Sequence, residues 1–174
     1  VAPVAVTQVR NVISLNQQGW KFMLDGTKSM DNTAAAAALA SGGEAVTLPH
    51  TWNATDAAST SATTDYVRGI GWYRLDFNYS GSGASQWLQF DAASIVADVW
   101  LNGVKLGTHS GAFSAFRFDV TPLLKAGNNT LVVKVNNTAP TTATDPTAIA
   151  PLSGDFNMAG GLYRGVSLVS APSA

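Results

Sequence analysis

Alternation with a period of two residues dominates this chain and leaves few folds open to it. Across residues 71–80, Tyr73, Leu75, Phe77 and Tyr79 share one face, while Arg74, Asp76 and Asn78 share the other. Leu131, Val133 and Val135 alternate with Lys134 and Asn136. Phe116, Phe118 and Val120 alternate with Arg117 and Asp119, and Leu88 and Phe90 with Trp87 and Gln89. Successive side chains of a strand point to opposite faces, so each stretch reads as a strand with one face on a core. Asn102-Gly103 separates two such stretches. That pair accepts positive φ at both central positions, which a tight hairpin needs.

No apolar stripe with helical spacing is sustained anywhere. The Ala34–Ala38 run has high helix propensity but no flanking pattern, and it reads as a small-residue loop or one helical turn. Thr121-Pro122-Leu123-Leu124 reads as a single helical turn, with Thr121 as its cap and Pro122 at its first position. Gly127 and Asn128 end it. About eight to ten short strands separated by turns point to an all-β sandwich or jelly roll. Two connections are long, from about residue 50 to 68 and from about residue 137 to 162. Connections beyond about 12–15 residues are uncommon in compact domains and are often functional.

Composition narrows the function. The chain has 174 residues, enough for one domain with a substantial core. Only 12% of residues are charged and the net charge is −1, so the basic stripe of a nucleic-acid binder is missing. No apolar run is long enough to cross a membrane as a helix. There is no cysteine, hence no disulfide and no thiolate metal site. His50 and His109 sit in no ligand-spaced cluster, and no G-x-S-x-G elbow is present. Gly81-Ser82-Gly83 begins like a dinucleotide fingerprint, but Gln86 stands where the third glycine belongs. Four N-x-[ST] matches, at Asn53, Asn78, Asn128 and Asn136, carry little weight in a chain rich in Asn and Thr. Glu44 is the only glutamate beside ten aspartates. Richness in Ser, Thr and Ala, and a first residue other than Met, lean toward a secreted or periplasmic protein.

Six stretches carry a resemblance in order: "NQQGWKFML" (16–24), "LPHTWN" (48–53), "YVRGIGWYRLDF" (66–77), "VWLNGVKLGTHSGAFSAFRFDVT" (99–121), "NNTLVVKVNN" (128–137) and "PLSGDFNMAGGLYRGVSL" (151–168). Together they resemble the N-terminal sugar-binding domain of glycoside hydrolase family 2. The combination of "LPHTWN", "GWYR" and "GGLYR" looks most like its β-galactosidases. The resemblance implies a jelly-roll, galactose-binding-like β-sandwich over residues 1–170, with 171–174 beginning a link to further domains. Those would be an immunoglobulin-like sandwich and a TIM barrel bearing two catalytic glutamates. Retaining hydrolysis needs a nucleophile and an acid/base carboxyl about 5–5.5 Å apart. With Glu44 as its one glutamate, this chain is expected to hold no catalytic residue and no cofactor of its own, and its partners would be those domains and a carbohydrate.

The same resemblance places Asp155 where family members bind the terminal sugar, in some with a monovalent cation nearby. Asn157 would add a donor and an acceptor. Arg68 falls where some members touch the sugar, and a guanidinium can fork onto vicinal hydroxyls. Plainer readings stand beside each: an Asx-turn at Asp155, a surface or interdomain ion pair at Arg68. Gly160-Gly161 reads as positive φ or close approach to a neighbour. Tyr163 and Arg164 open the last strand, with Arg164 expected to pair with a carboxylate. Trp72 and Trp52 read as rim residues packed on loops, His50 as a hydrogen-bonded structural residue, and Trp20, Trp87 and Trp100 as core or intersheet. An independent carbohydrate-binding module and a purely structural adaptor are the competing readings.

Overall fold

The computed structural model describes residues 10–56, 66–81, 85–148 and 158–171. Ten strands and one helix follow in order: β1 (Asn11–Ser14), β2 (Trp20–Leu24), α1 (Asn32–Ser41), β3 (Glu44–Val46), β4 (Ile70–Tyr79), β5 (Ser85–Phe90), β6 (Val96–Leu101), β7 (Val104–Ser110), β8 (Phe116–Asp119), β9 (Gly127–Asn136) and β10 (Val166–Ala171). They form a four-stranded sheet, β1-β10-β5-β8, and a six-stranded sheet, β3-β2-β4-β9-β6-β7. Every pairing is antiparallel. From β4 onward the chain passes repeatedly between the sheets, the crossing pattern of a jelly roll.

The alternating faces meet as expected. Tyr73, Leu75 and Phe77 of β4 and Leu131, Val133 and Val135 of β9 face Leu88 and Phe90 of β5 and Leu168 of β10 in one core. Full burial of each large apolar side chain contributes about 1.5–3 kcal/mol, which is why one face of each strand had to be apolar. β4 pairs with β9 along its whole length, from Ile70↔Asn136 to Tyr79↔Gly127. The β6–β7 hairpin turns at Asn102 (φ 52°) and Gly103 (φ 83°), the geometry that the Asn-Gly pair announces.

Four expectations change. The Ala34–Ala38 run lies inside a ten-residue helix, α1, rather than a loop or single turn. Asp31 Oδ1 accepts from the Ala34 N–H at 2.8 Å and caps it. Only Ala35 and Leu39 are buried, one turn apart, so α1 needs no apolar stripe to dock. It docks on the outer face of the six-stranded sheet and covers Trp72, which is 1% exposed rather than at a rim. Trp20 is core, but Trp87 and Trp100 are only half-buried, Trp100 lying 5.7 Å from Trp72 outside the sandwich. The turn after β8 forms, with the Leu123 and Leu124 N–H groups both donating to Val120 O. Its expected cap, Thr121, instead accepts from the Gln86 N–H across the sheet edge.

Candidate functional site

The two long connections run from β3 to β4 and from β9 to β10, and their described parts meet beside Tyr73. Their described parts are bound to each other through side chains of residues 50–56 and through Asn137. His50 leads this set. Its N–H donates to Leu162 O at 2.8 Å, and its Nδ1 lies 2.8 Å from Tyr73 Oη. Tyr73 Oη also accepts from the Leu162 N–H at 3.4 Å, so it satisfies both by donating to Nδ1. Burial raises the Tyr73 hydroxyl pKa, so the phenol stays protonated. Burial lowers the His50 pKa, against the opposing pull of Glu44. His50 is thus the hydrogen-bonded structural residue expected.

Burial also lowers the His109 imidazole, which stacks on Phe116 at 4.0 Å. The unfolded chain therefore binds protons on these two rings more readily than the folded one. Their stabilising contribution is complete above about pH 6.5 and is lost as pH falls through the lower folded values. The urea midpoint should drop between about pH 7 and pH 5.5, and less so in His50→Asn. A midpoint that is flat over this range in the parent chain would contradict the assignment.

Residues 51–56 hold the two connections together. Thr51 Oγ1 donates to Gly160 O at 2.7 Å. Asn53 Oδ1 accepts from the Gly160 N–H at 2.7 Å, and its Nδ2 donates to Val67 O at 2.8 Å and to Asp56 Oδ2. Asp56 Oδ2 accepts from the Val67 N–H at 2.7 Å, and Trp52 Nε1 donates to Val67 O at 3.1 Å. Farther in, Asn137 Oδ1 accepts from the Gly69 N–H and Nδ2 donates to Met158 O, both at 2.8 Å. The Asn137 N–H donates to Gly69 O at 3.0 Å. Sequence reading singled out neither asparagine for this role. Asn53 figured as an N-x-[ST] match and as the end of "LPHTWN", with no role of its own, yet it is 8% exposed and hydrogen-bonded through both its oxygen and its nitrogen.

The double glycine is explained by close approach. A Cβ on Gly160 would lie 1.9 Å from Trp52 Cζ2. Gly161 has φ +131°, and a Cβ there would meet His50 O at 2.5 Å. Gly161 also pairs with Ser94 in an isolated bridge. Beside it opens a cleft of about 280 Å³ lined by Thr51, Ser94, Phe113, Met158, Ala159 and Tyr163. Phe113 stands 70% exposed at its mouth. Tyr163 does not open the last strand, which begins at Val166. Its hydroxyl donates to Ala112 O, and Arg164 lies over its ring at 5.8 Å.

Of the expected sugar contacts, Arg68 is half-buried between Val67 and Gly69, and burial lowers its pKa. Neighbouring Tyr66 is 56% exposed in a left-handed conformation (φ 57°) that is uncommon for a tyrosine. Asp155 and Asn157, and with them the expected cation position, lie outside the described residues. Among the described residues no three His, Asp or Glu side chains converge. Among the described residues the site offers half-buried Arg68, aromatic edges and hydrogen-bonded backbone.

Residues 13–172 match the family described as glycosyl hydrolases family 2, sugar binding domain, and the chain belongs to it. It is 42% identical over 127 residues to a β-glucuronidase of Bacteroides fragilis, covering 71% of this chain and 17% of that protein. It is 33% identical over 131 residues to a β-galactosidase of Thermoanaerobacter pseudethanolicus, covering 72% and 17%. The crystal structure of a β-glucuronidase from Bacteroides uniformis superposes with a TM-score of 0.75 at 36% identity, covering 94% of this chain and 18% of that one. The chain therefore spans less than a fifth of the length of these relatives.

Proposed function

We propose that this domain serves a retaining exo-β-glycosidase by forming one wall of the pocket that holds the terminal sugar. The β-glycosidic bond is broken by two carboxyl groups of another domain, a TIM barrel reached through an immunoglobulin-like sandwich. Arg68, Asp155 and Asn157 are the side chains presented to the sugar, with a monovalent cation beside Asp155 as an accessory. The observation that carries this reading is the joining of residues 67–69 to residues 158–162. It brings half-buried Arg68 and the end of the late loop to a single rim.

The substrate is a β-glucuronide or a β-galactoside, since relatives bearing both names align over most of the chain. Arg68 favours the glucuronide, whose carboxylate a guanidinium can meet with charge-assisted hydrogen bonds. The test is Arg68→Ala and Asp155→Ala in the whole protein, assayed on 4-nitrophenyl β-D-glucuronide and β-D-galactoside. We expect kcat/KM to fall at least about tenfold on the true substrate, equivalent to about 1.4 kcal/mol of lost transition-state binding. Unchanged kinetics in both variants would leave the structural adaptor. Sugar binding by the 174-residue chain alone would favour the independent module.

A further inference from the structure

We infer that Asn53 and Asn137 are positioning residues that together set Arg68 against the end of the late loop, an inference that rests on the pocket-wall reading above. Both are buried, at 8% and 0% exposure. Each bridges the same two backbone segments. Asn53 accepts from the Gly160 N–H and donates to Val67 O. Asn137 accepts from the Gly69 N–H and donates to Met158 O. The polarities are opposite: one amide runs from 160 to 67, the other from 69 to 158.

A primary amide does this with one short side chain, because it carries a donor and an acceptor on two separate atoms of one planar group. The consequence falls on Arg68. Its two flanking residues are held on both backbone groups, Val67 by Asn53, Trp52 and Asp56, and Gly69 by Asn137. The arginine is left as the one residue between two fixed points, which restricts where its half-buried side chain can reach. Plain stability does not require this arrangement, since two adjacent segments can pair their backbones directly, as Ser94 and Gly161 do here. The amides hold the segments one side chain apart, which fixes the spacing between the backbone at residues 67–69 and that at residues 158–160.

The experiment uses the whole protein and separates coupling from folding. Asn137→Asp keeps the acceptor for Gly69 and the side-chain volume but loses the donor to Met158 O. Asn53→Asp keeps the acceptor for Gly160, loses the donor to Val67 O and repels Asp56. The exchanged pair Asn53→Asp with Asp56→Asn restores a donor between positions 53 and 56. We expect each single variant to raise KM on the true nitrophenyl glycoside about tenfold to a hundredfold, with kcat changed far less, as for a binding group displaced by about 1 Å. The exchanged pair removes the charge repulsion but not the loss of the Asn53 donor to Val67 O, so KM should recover only in part. Amide exchange in the parent protein should find the Val67, Gly69 and Gly160 N–H groups strongly protected, a readout that survives even if a variant misfolds.

Unchanged KM in both single variants, or rapid exchange at those amides in the parent protein, would overturn the inference. If Arg68→Ala and Asp155→Ala both leave the kinetics untouched, the pocket-wall reading fails, and protected amides would then mark the asparagines as structural alone.

Discussion

Truncating Trp72 to alanine should lower the unfolding free energy by about 3–5 kcal/mol, the range for a buried tryptophan whose space cannot collapse. Trp72 projects from the outer face of β4 and is covered by Ala35 and Leu39 of α1. Trp100 lies beside it at 5.7 Å, and the Lys134 ammonium sits 5.7 Å from its ring centre. A ten-residue helix is too short to persist alone in water, so α1 depends on this platform. The loss should therefore appear twice: as a lower urea midpoint, and as fast amide exchange confined to residues 32–41. Trp72→Phe should cost under about 1.5 kcal/mol, because Trp72 Nε1 is buried without a hydrogen-bond partner and nothing polar is lost. A loss below about 1 kcal/mol in Trp72→Ala, with α1 still protected, would show that the helix is held by something else.

Trp72 also marks where sequence patterning stops. The alternation in β4 sorts Tyr73, Leu75 and Phe77 to the core correctly, because the facing sheet buries one side of the strand throughout. The same rule assigns Trp72 to the polar side, and that side does carry Arg74 and Asp76. What alternation cannot register is a local cover on the outer face. Two buried side chains suffice to seat α1, so no stripe announced it, and only Asp31 before a run of alanines hinted at a capped helix. The Asn102-Gly103 hairpin was legible for the opposite reason. Its cause lies within two residues, in the backbone conformation they tolerate.

The site divides along the same line. Gly160 and Gly161 were readable as positions of close approach, since a paired glycine has few other uses. Their partners were not. Asn53 meets Gly160 across 107 positions of sequence, and Asn137 meets Gly69 across 68. No local pattern encodes a contact of that separation. An asparagine two positions before a threonine, as Asn53 is, looks like a modification match whether its amide faces solvent or joins two buried loops. Burial decides between them, and burial is a property of the finished sandwich.

Gly160→Ala should be among the costliest single-methyl changes where the two long connections meet, at about 3 kcal/mol or more. The added Cβ would stand 1.9 Å from Trp52 Cζ2 and 2.5 Å from both Cε2 and Cη2. That ring cannot swing aside. It stacks on Phe22 at 5.8 Å and 12°, its Nε1 donates to Val67 O, and the Cα of Gly71 closes its other edge so tightly that a Cβ there would lie 2.6 Å away. Residue 160 must move instead, which breaks its hydrogen bonds to Thr51 Oγ1 and Asn53 Oδ1. Overpacking costs about 1–3 kcal/mol and each lost bond about 1 kcal/mol more, so the terms point the same way. Gly26→Ala is the comparison, since a Cβ there meets nothing within 4 Å, and it should change stability by no more than about 0.5 kcal/mol. A double-mutant cycle isolates the cause. Trp52→Leu should destabilise on its own, yet adding Gly160→Ala to it should cost much less than adding it to the parent chain. Strict additivity of the two changes would mean that the clash with the indole is not what makes position 160 a glycine.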